Sequence, residues 1–337
     1  MKEIETVNAA GHILCHDITQ IIPGKFKGAR FKKGHIIRDE DIPVLISLGK
    51  EHVFVWENDG SIIHENDAAR ILLGLCRGDG LEHTEPSEGK IEMRAAHDGL
   101  LKIDTDGIYS LNRLGNICVS TIHPNTPVKA GDRICGMRVI PLAVKKELMD
   151  QARAVTDRPL INIIPYTKKR ARIAVTGNEI KKGLIEDRFT QVLERKLAEY
   201  GVNIDEVVYT GDDDKYITDT VMSFAKAGTD MIFCTGGMSV DPDDKTPLAI
   251  RNTGAEIITY GAPVLPGAMI LIAYLNGIPV AGLPGCVMYA GRTIFDLILP
   301  RIIADDRISS EDIMRLGVGG FCRGCDICTF PNCGFGK

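Results

Sequence analysis

The residues best suited to chemistry are Thr235-Gly236-Gly237-Met238-Ser239 and the acidic run behind them, Asp241, Asp243 and Asp244, ahead of Thr246-Pro247. Two adjacent glycines let a backbone come close to a ligand, and Thr and Ser hydroxyls with free N–H groups suit phosphate oxygens. Carboxylates so near would repel a phosphate unless a divalent cation lay between them, and Mg²⁺ is the natural ion. The plainer reading is a glycine turn with a solvated acidic face. Position in the fold decides between the two.

The loop follows an apolar run, Met231–Cys234, that reads as a buried strand. From about Arg172 to Ala304 strands and helices alternate. Arg172–Val175 ends at Thr176-Gly177-Asn178-Glu179. Asp187 then reads as a helix N-cap, with Phe189, Val192, Leu193, Leu197 and Tyr200 at helical spacing and Gly201 as the stop. Ile204–Tyr209 ends at Gly211-Asp212-Asp213-Asp214, and a second helix carries Ile217, Val221 and Phe224. Beyond the glycine loop come a helix from Thr246, strands near 257–260, 269–274 and 279–281, and a closing helix from Val287 to about Ile303.

Such alternation predicts an α/β domain with a mainly parallel sheet covered on both faces, over residues 168–305. Sheets of this kind bind ligands at the carboxyl ends of their strands. Thr176–Glu179, Gly211–Asp214, Thr235–Asp244 and Leu283-Pro284-Gly285 all fall there, which favours the functional reading of the glycine loop.

A chain of 337 residues with a net charge of −5 is no general nucleic-acid binder. No apolar stretch approaches the ~18 residues that cross a bilayer, and the first residues do not read as a signal peptide, so a cytoplasmic location is expected. Residues 1–75 read as a small α+β domain, with Gly34–Ile42 leading into a short helix and another helix near Asn66–Leu75. Gly74–Gly89 reads as a linker. Residues 90–150 read as β-rich, with turns at Asp98-Gly99, Asp106-Gly107 and Gly131-Asp132. His12, His16, His35, His64, His83, His97 and His123 show no ligand spacing and read as ordinary surface or satisfied histidines.

Of ten cysteines, Cys15, Cys76, Cys118, Cys135, Cys234 and Cys286 are scattered, mostly among apolar neighbours as small core residues. The other four, Cys322-x2-Cys325-x2-Cys328-x4-Cys333, crowd the tail, residues 306–337. Metal binding explains them better than disulfides do. Three cysteines at two-residue gaps open many [4Fe–4S] sites, although the last gap differs from the ferredoxin spacing. A tetrahedral zinc site is the alternative, with a redox or unliganded tail behind it. The segment is too rich in glycine to build a core of its own.

Thr176-Gly177-Asn178-Glu179, Gly183 to Arg188, Gly211-Asp212-Asp213, the TGGMS loop with Asp244-Lys245-Thr246-Pro247, Pro266-Gly267 and Leu283-Pro284-Gly285 resemble, in order, the molybdopterin-binding domain of molybdenum-cofactor biosynthesis. That family includes molybdopterin adenylyltransferases and molybdotransferases and related domains of gephyrin and of competence-damage proteins. The resemblance implies that the loops hold the phosphate and pterin of molybdopterin. Asp212, Asp213, Asp241 and Asp244 are its candidates for catalysis and metal; Thr235 and Ser239 would orient phosphate.

The spacing to Asp244-Lys245-Thr246-Pro247 looks more like the adenylyltransferases, which would use ATP. The extra N-terminal half is more like the molybdotransferases, which would use molybdate, but their Asp-Gly-Tyr-Ala signature is not visible. The lysines that flank Pro-Gly in molybdotransferases are Leu265 and Ala268 here, and Leu-Pro-Gly is followed by Cys286-Val287. Losing those lysines removes charge-assisted contacts to an oxyanion. An enzyme acting on the molybdopterin phosphate with Mg²⁺ is therefore one expectation. A non-catalytic carrier or sensor, docking through its tail to a molybdoenzyme, is the second, and a nucleotide pyrophosphatase like the competence-damage relatives is the third. The resemblance also implies a homo-oligomer.

Overall fold

The computed structural model describes all residues except 1, 23–25, 57–60, 240, 242 and 243, and the side chain of Phe26. The chain divides into two compact units, one of residues 1–97, 101–124 and 129–163, the other of residues 98–100, 125–128 and 164–337.

In the first unit, Lys2–Glu5 pairs antiparallel with His52–Val55, and Ile18–Ile22 with Phe26–Phe31. Leu14, Ile18, Ile37, Leu45, Val53 and Val55 form a small core beneath them. A four-stranded antiparallel sheet follows, in the order Leu81–His83, Ile91–Ala95, Arg133–Val139, Ile117–Thr121.

Two local expectations change here. The polar stretch 74–89 is not a free linker, because Leu81–His83 is a strand paired with Met93–Ala95. Leu81 is buried in that sheet and outweighs the surrounding glycines. Asp106-Gly107 is no turn but the first turn of the helix Thr105–Arg113; the Asp104 carboxylate caps it by accepting the Gly107 N–H at 2.9 Å. An Asp N-cap ahead of a Gly pair reads like a turn until the following residues are seen to bury one helical face.

The second unit is built on one six-stranded sheet. Its elements are β1 (Arg170–Val175), α1 (Arg188–Ala198), β2 (Asn203–Tyr209), α2 (Asp214–Lys226), β3 (Met231–Thr235), α3 (Thr246–Asn252), β4 (Glu256–Tyr260), β5 (Leu271–Leu275), β6 (Ile278–Leu283), α4 (Ile294–Ile303) and α5 (Ser310–Arg315). Strand order is β2-β1-β3-β6-β5-β4. The pairs β1–β2, β1–β3 and β3–β6 are parallel, and β6–β5 and β5–β4 antiparallel. The α/β expectation holds.

The central parallel strand β3 is buried on both faces, which is why it reads as an unbroken apolar run, whereas the edge strand β2 is largely exposed. Ile173, Met231 and Phe233 point into one core with Phe189, Leu193 and Leu197 of α1 and Phe295, Ile298 and Leu299 of α4. Ala174, Ile232 and Cys234 point into the other with Ile217, Val221 and Phe224 of α2 and Ala249 and Ile250 of α3. Burial pushes the Cys234 thiol up to about 12, so this residue is inert packing.

Asp187 caps α1 as its position predicted: one carboxylate oxygen accepts the Phe189 and Thr190 N–H groups at 2.9 and 3.1 Å. Asp187→Ala is expected to cost about 1 kcal/mol in a urea unfolding curve of the full chain. The closing helix starts later than expected. Gly285–Met288 is a single 3₁₀ turn, and α4 begins only at Ile294. The reason is a capping box: Thr293 Oγ1 accepts the Phe295 N–H at 3.2 Å, and the Asp296 carboxylate accepts the Thr293 N–H at 2.8 Å. Among the described residues no helix is long and apolar enough to cross a membrane.

Candidate functional site

The chain leaves β1 through α1 to β2 on one side, then returns through α2 to β3 on the other side of β1. The connection thus reverses direction between β1 and β3, and a crevice opens there at their carboxyl ends, the usual ligand position in open parallel sheets. Thr176 follows directly on the end of β1, whose last residue, Val175, pairs in the sheet with Thr235 at the end of β3.

Thr176 is buried and donates through both its N–H and its Oγ1 to the Thr235 carbonyl, each at 2.9 Å. Thr246, the first residue of α3 and fully buried, donates from Oγ1 to the Gly236 carbonyl at 2.8 Å and lies 3.4 Å from Thr176 Oγ1. Two threonines, Thr176 and Thr246, therefore pin the first turn of the glycine loop from two separate segments.

Gly236 and Gly237 are needed on two counts. Both have positive φ, +82° and +56°. A Cβ on Gly236 would lie 2.8 Å from Thr176 Oγ1, and one on Gly237 2.9 Å from Thr246 Oγ1. Met238 anchors the far side, buried in the α2–α3 core over Gly282 of β6, and Tyr260 OH donates to the Met238 and Ser239 carbonyls at 3.2 and 3.3 Å. The loop is thus rigid and its backbone bare where a ligand would approach. Gly237→Ala should strain φ by about 1–2 kcal/mol and push the loop off Thr246, lowering the thermal midpoint of the chain.

Two polar atoms of this loop are buried without a hydrogen-bond partner among the described residues: Thr235 Oγ1 and Asp244 Oδ2. Leaving such an atom unpaired costs about 1–3 kcal/mol. A hydroxyl and a carboxylate oxygen held unsatisfied at one loop suit a phosphate oxygen and a cation respectively.

The other sequence-derived residues fall on the same rim. Asn178 and Asp212 bind reciprocally, Asp212 Oδ2 accepting the Asn178 N–H at 2.9 Å and the Asp212 N–H reaching Asn178 Oδ1 at 3.5 Å. Gly177 and Glu179 flank this pair; Glu179 is exposed. Asp213 spends one carboxylate oxygen capping α2, accepting the Tyr216 N–H at 3.0 Å. Asp241 is exposed and its carbonyl accepts the Asp244 N–H at 3.0 Å, while Asp243 lies outside the described residues. Leu283 and Pro284 are buried at the end of β6, and Gly285 opens the 3₁₀ turn.

Pro266 and Gly267 precede β5, whose Leu271 pairs with Gly282 near the end of β6, so their loop opens on the same edge. Gly267 is packed on Ile294, whose N–H donates to the Pro266 carbonyl at 3.1 Å. Sequence reasoning missed Tyr260 and Lys181. Lys181 Nζ donates to the Thr210 carbonyl at 2.9 Å and sits 4.8 Å from the Tyr216 ring, tying the first loop to the second. Nothing in their local sequence marks either residue.

The four tail cysteines, by contrast, line one cavity of about 430 Å³ together with Pro266, Arg292 and Phe330. All ten cysteines of the chain are free, and among the described residues no three His, Cys, Asp or Glu side chains converge as ligands of a single ion. That statement also covers the acidic rim. A Mg²⁺ ion nonetheless suits it, because this ion is commonly held by one or two carboxylates with the rest of its shell from substrate phosphates and water.

In the first unit His64 is a satisfied core histidine: its Nε2 pairs with the Cys15 carbonyl and its Nδ1 accepts the Asn66 N–H at 3.2 Å. His16 departs from expectation. Its Nδ1 is buried with no partner among the described residues, and it lines a polar cavity of about 290 Å³ with Lys33, Glu65 and Arg138.

Comparison with known proteins follows this geometry. Residues 172–304 match the family described as "Probable molybdopterin binding domain", and residues 3–57 match a domain of unknown function. A protein named as a probable FAD synthase of Caenorhabditis briggsae is 36% identical over 96 residues, 28% of this chain and 18% of that protein. A competence-damage inducible protein of Bacillus thuringiensis is 32% identical over 95 residues, 28% of this chain and 23% of that one. The chain thus spans less than a quarter of the length of either relative.

Solved structures with a similar course include the CinA protein of Thermoplasma acidophilum (TM-score 0.35, 19% identity, 40% of this chain and 99% of that one). The molybdopterin biosynthesis enzyme MoaB of Thermus thermophilus is another (TM-score 0.34, 16% identity, 42% and 98%). Residues 172–304, which carry the threonine-pinned glycine loop, are a molybdopterin-binding domain of the molybdenum-cofactor biosynthesis type.

Proposed function

We propose that the crevice between β1 and β3 binds the phosphate end of molybdopterin and that the chain catalyses a transfer there, adenylyl transfer from ATP in preference to molybdate insertion. The observation that carries this reading is the pair of buried unpartnered atoms, Thr235 Oγ1 and Asp244 Oδ2, on the glycine loop.

Thr235, Ser239 and the backbone N–H groups of Gly236 and Gly237 hold phosphate oxygens. Asp244 would hold Mg²⁺, with Asp212 and Asp241 elsewhere on the rim as its alternatives. The ion supplies neutralisation of the charge that develops between the two phosphates. Catalysis then rests on positioning, because phosphoryl and adenylyl transfer need little covalent help from the protein. Asp213 serves chiefly by fixing α2 and, through it, the second loop. Leu283-Pro284-Gly285 and Pro266-Gly267 form the remaining wall, toward the pterin.

Adenylyl transfer is preferred because Leu265 and Ala268 replace the lysines that would receive an oxyanion. Those same replacements favour one alternative, a carrier or sensor that binds molybdopterin or the finished cofactor and hands it to a molybdoenzyme. In either case the four tail cysteines hold a metal centre, iron–sulfur or zinc, and the protein acts in the cytoplasm as a homo-oligomer.

The deciding experiment offers anaerobically purified protein molybdopterin with Mg·ATP or with molybdate. Adenylylated pterin supports the proposal, and molybdenum cofactor as product moves it to insertion. Tight pterin binding without product leaves the carrier; nucleotide hydrolysis without pterin binding overturns both in favour of a pyrophosphatase.

A further inference from the structure

The cysteine tail builds no core of its own and borrows one. Phe335 is buried in the α1–α4 core, where Cys322, Phe330 and Cys333 pack beside it. The Gly336 N–H donates to the Gly319 carbonyl at 2.9 Å, so the segment 319–336 closes on itself as a loop. Along one side it makes a single parallel β-bridge, Phe321 to Leu265: the Leu265 N–H donates to the Gly320 carbonyl and the Cys322 N–H to the Leu265 carbonyl, both at 2.8 Å. Both bonds are made by Leu265, the residue just before the Pro266-Gly267 loop, which stands in place of an expected lysine.

What the loop encloses is the cavity of about 430 Å³ lined by Cys322, Cys325, Cys328 and Cys333. A single tetrahedral ion draws four sulfurs to about 2.3 Å from one point. Here no three of the thiols converge on one point, and the space between them is far larger than an ion. Four thiols set around a roomy pocket, which Phe321, Phe330 and Phe335 also line, match a polyatomic centre whose irons each take one thiolate.

Such a centre with four thiolates is an anion and needs a cation beside it. Arg292 supplies it: the side chain lines the cavity, lies 4.9 Å from the Phe330 ring and is anchored by Asp296 at 2.8 Å.

We propose that the tail holds a [4Fe–4S] cluster in this cavity, the four thiols losing their protons on ligation, and that the filled cavity fixes the Pro266-Gly267 loop of the ligand site. This deepens the functional reading above by choosing among its metal centres and adding control over the ligand loop. Loss of the cluster to oxidants would then loosen one wall of the molybdopterin crevice.

The test uses the full chain purified without oxygen. About four iron and four acid-labile sulfide per chain are expected, with a reducible cluster signal in electron paramagnetic resonance. Cys325→Ser and Cys328→Ser, at exposed positions that tolerate the change, should lose that iron, as should Cys322→Ser. Hydrogen exchange at the Leu265 and Cys322 amides should quicken in the iron-free variants and remain slow in the loaded protein. About one zinc per chain, or no metal, overturns the cluster. Full iron with unchanged exchange at the two amides overturns the coupling. Metal content is read without pterin, so a chain that binds molybdopterin but carries no iron fails only here. A chain with iron that binds no pterin fails only the functional reading.

Discussion

Asp296→Ala is expected to remove about 3–5 kcal/mol of stability, because it leaves a buried ammonium without its partner. Lys196 of α1 and Asp296 of α4 meet at 2.5 Å with side chains only 4% and 3% exposed. Arg292 shares the same carboxylate oxygen at 2.8 Å, and the second oxygen closes the Thr293 capping box. One carboxylate thus compensates two cations and starts a helix. Domains hold only about 5–15 kcal/mol in total, so the fall should be plain in the urea midpoint of the full chain. Asp296→Asn should retain the cap yet still lose the charge, and so fall between wild type and alanine. A loss below about 1 kcal/mol for alanine would mean that Lys196 finds water or another acceptor, such as the Gly291 carbonyl at 3.4 Å.

Asp244→Ala should lower turnover by about a hundredfold or more, the scale on which a single preorganised electrostatic contact to a transition state contributes. Molybdopterin binding should survive, because the threonines and glycine N–H groups that hold phosphate are untouched. The variant should lose little stability, since Asp244 Oδ2 is buried with no hydrogen-bond partner among the described residues. That combination separates a metal-holding role from a structural one: a capping aspartate such as Asp213, whose carboxylate accepts the Tyr216 N–H, should lose stability when truncated. Raising Mg²⁺ should restore part of the rate to Asp244→Asn and none to Asp244→Ala. Unchanged turnover in Asp244→Ala would move the metal to Asp212 or Asp241.

Much of the second unit was legible in the chain. β3 is buried on both faces, so its apolar run needed no partner to be read, and Asp187 with Phe189, Leu193 and Leu197 announced α1 by spacing alone. The start of α4 was harder, because apolar residues lie on both sides of Gly291-Arg292-Thr293, at 287–290 and again at 294–303. Only the Thr293–Asp296 box, whose two hydrogen bonds are local, marks the true beginning. In the first unit the short strands carry few residues each, and Leu81–His83 became a strand through pairing with 93–95, a contact with no local signature.

The sequence by itself determined the alternation of strand and helix, the glycines that require positive φ, and the four-cysteine spacing, since each depends on residues within a few positions of one another. Tertiary structure alone decided which polar atoms are left unpaired. Thr235 and Asp244 look no different from their neighbours in the chain, and their exceptional state arises because Thr176 and Thr246, brought from segments some sixty and ten residues away, bond to backbone carbonyls instead. The same holds for the tail. Its spacing announced a metal, but the seating of that cavity on Leu265 and Arg292 follows from Phe335 finding room in a core that other elements had already built.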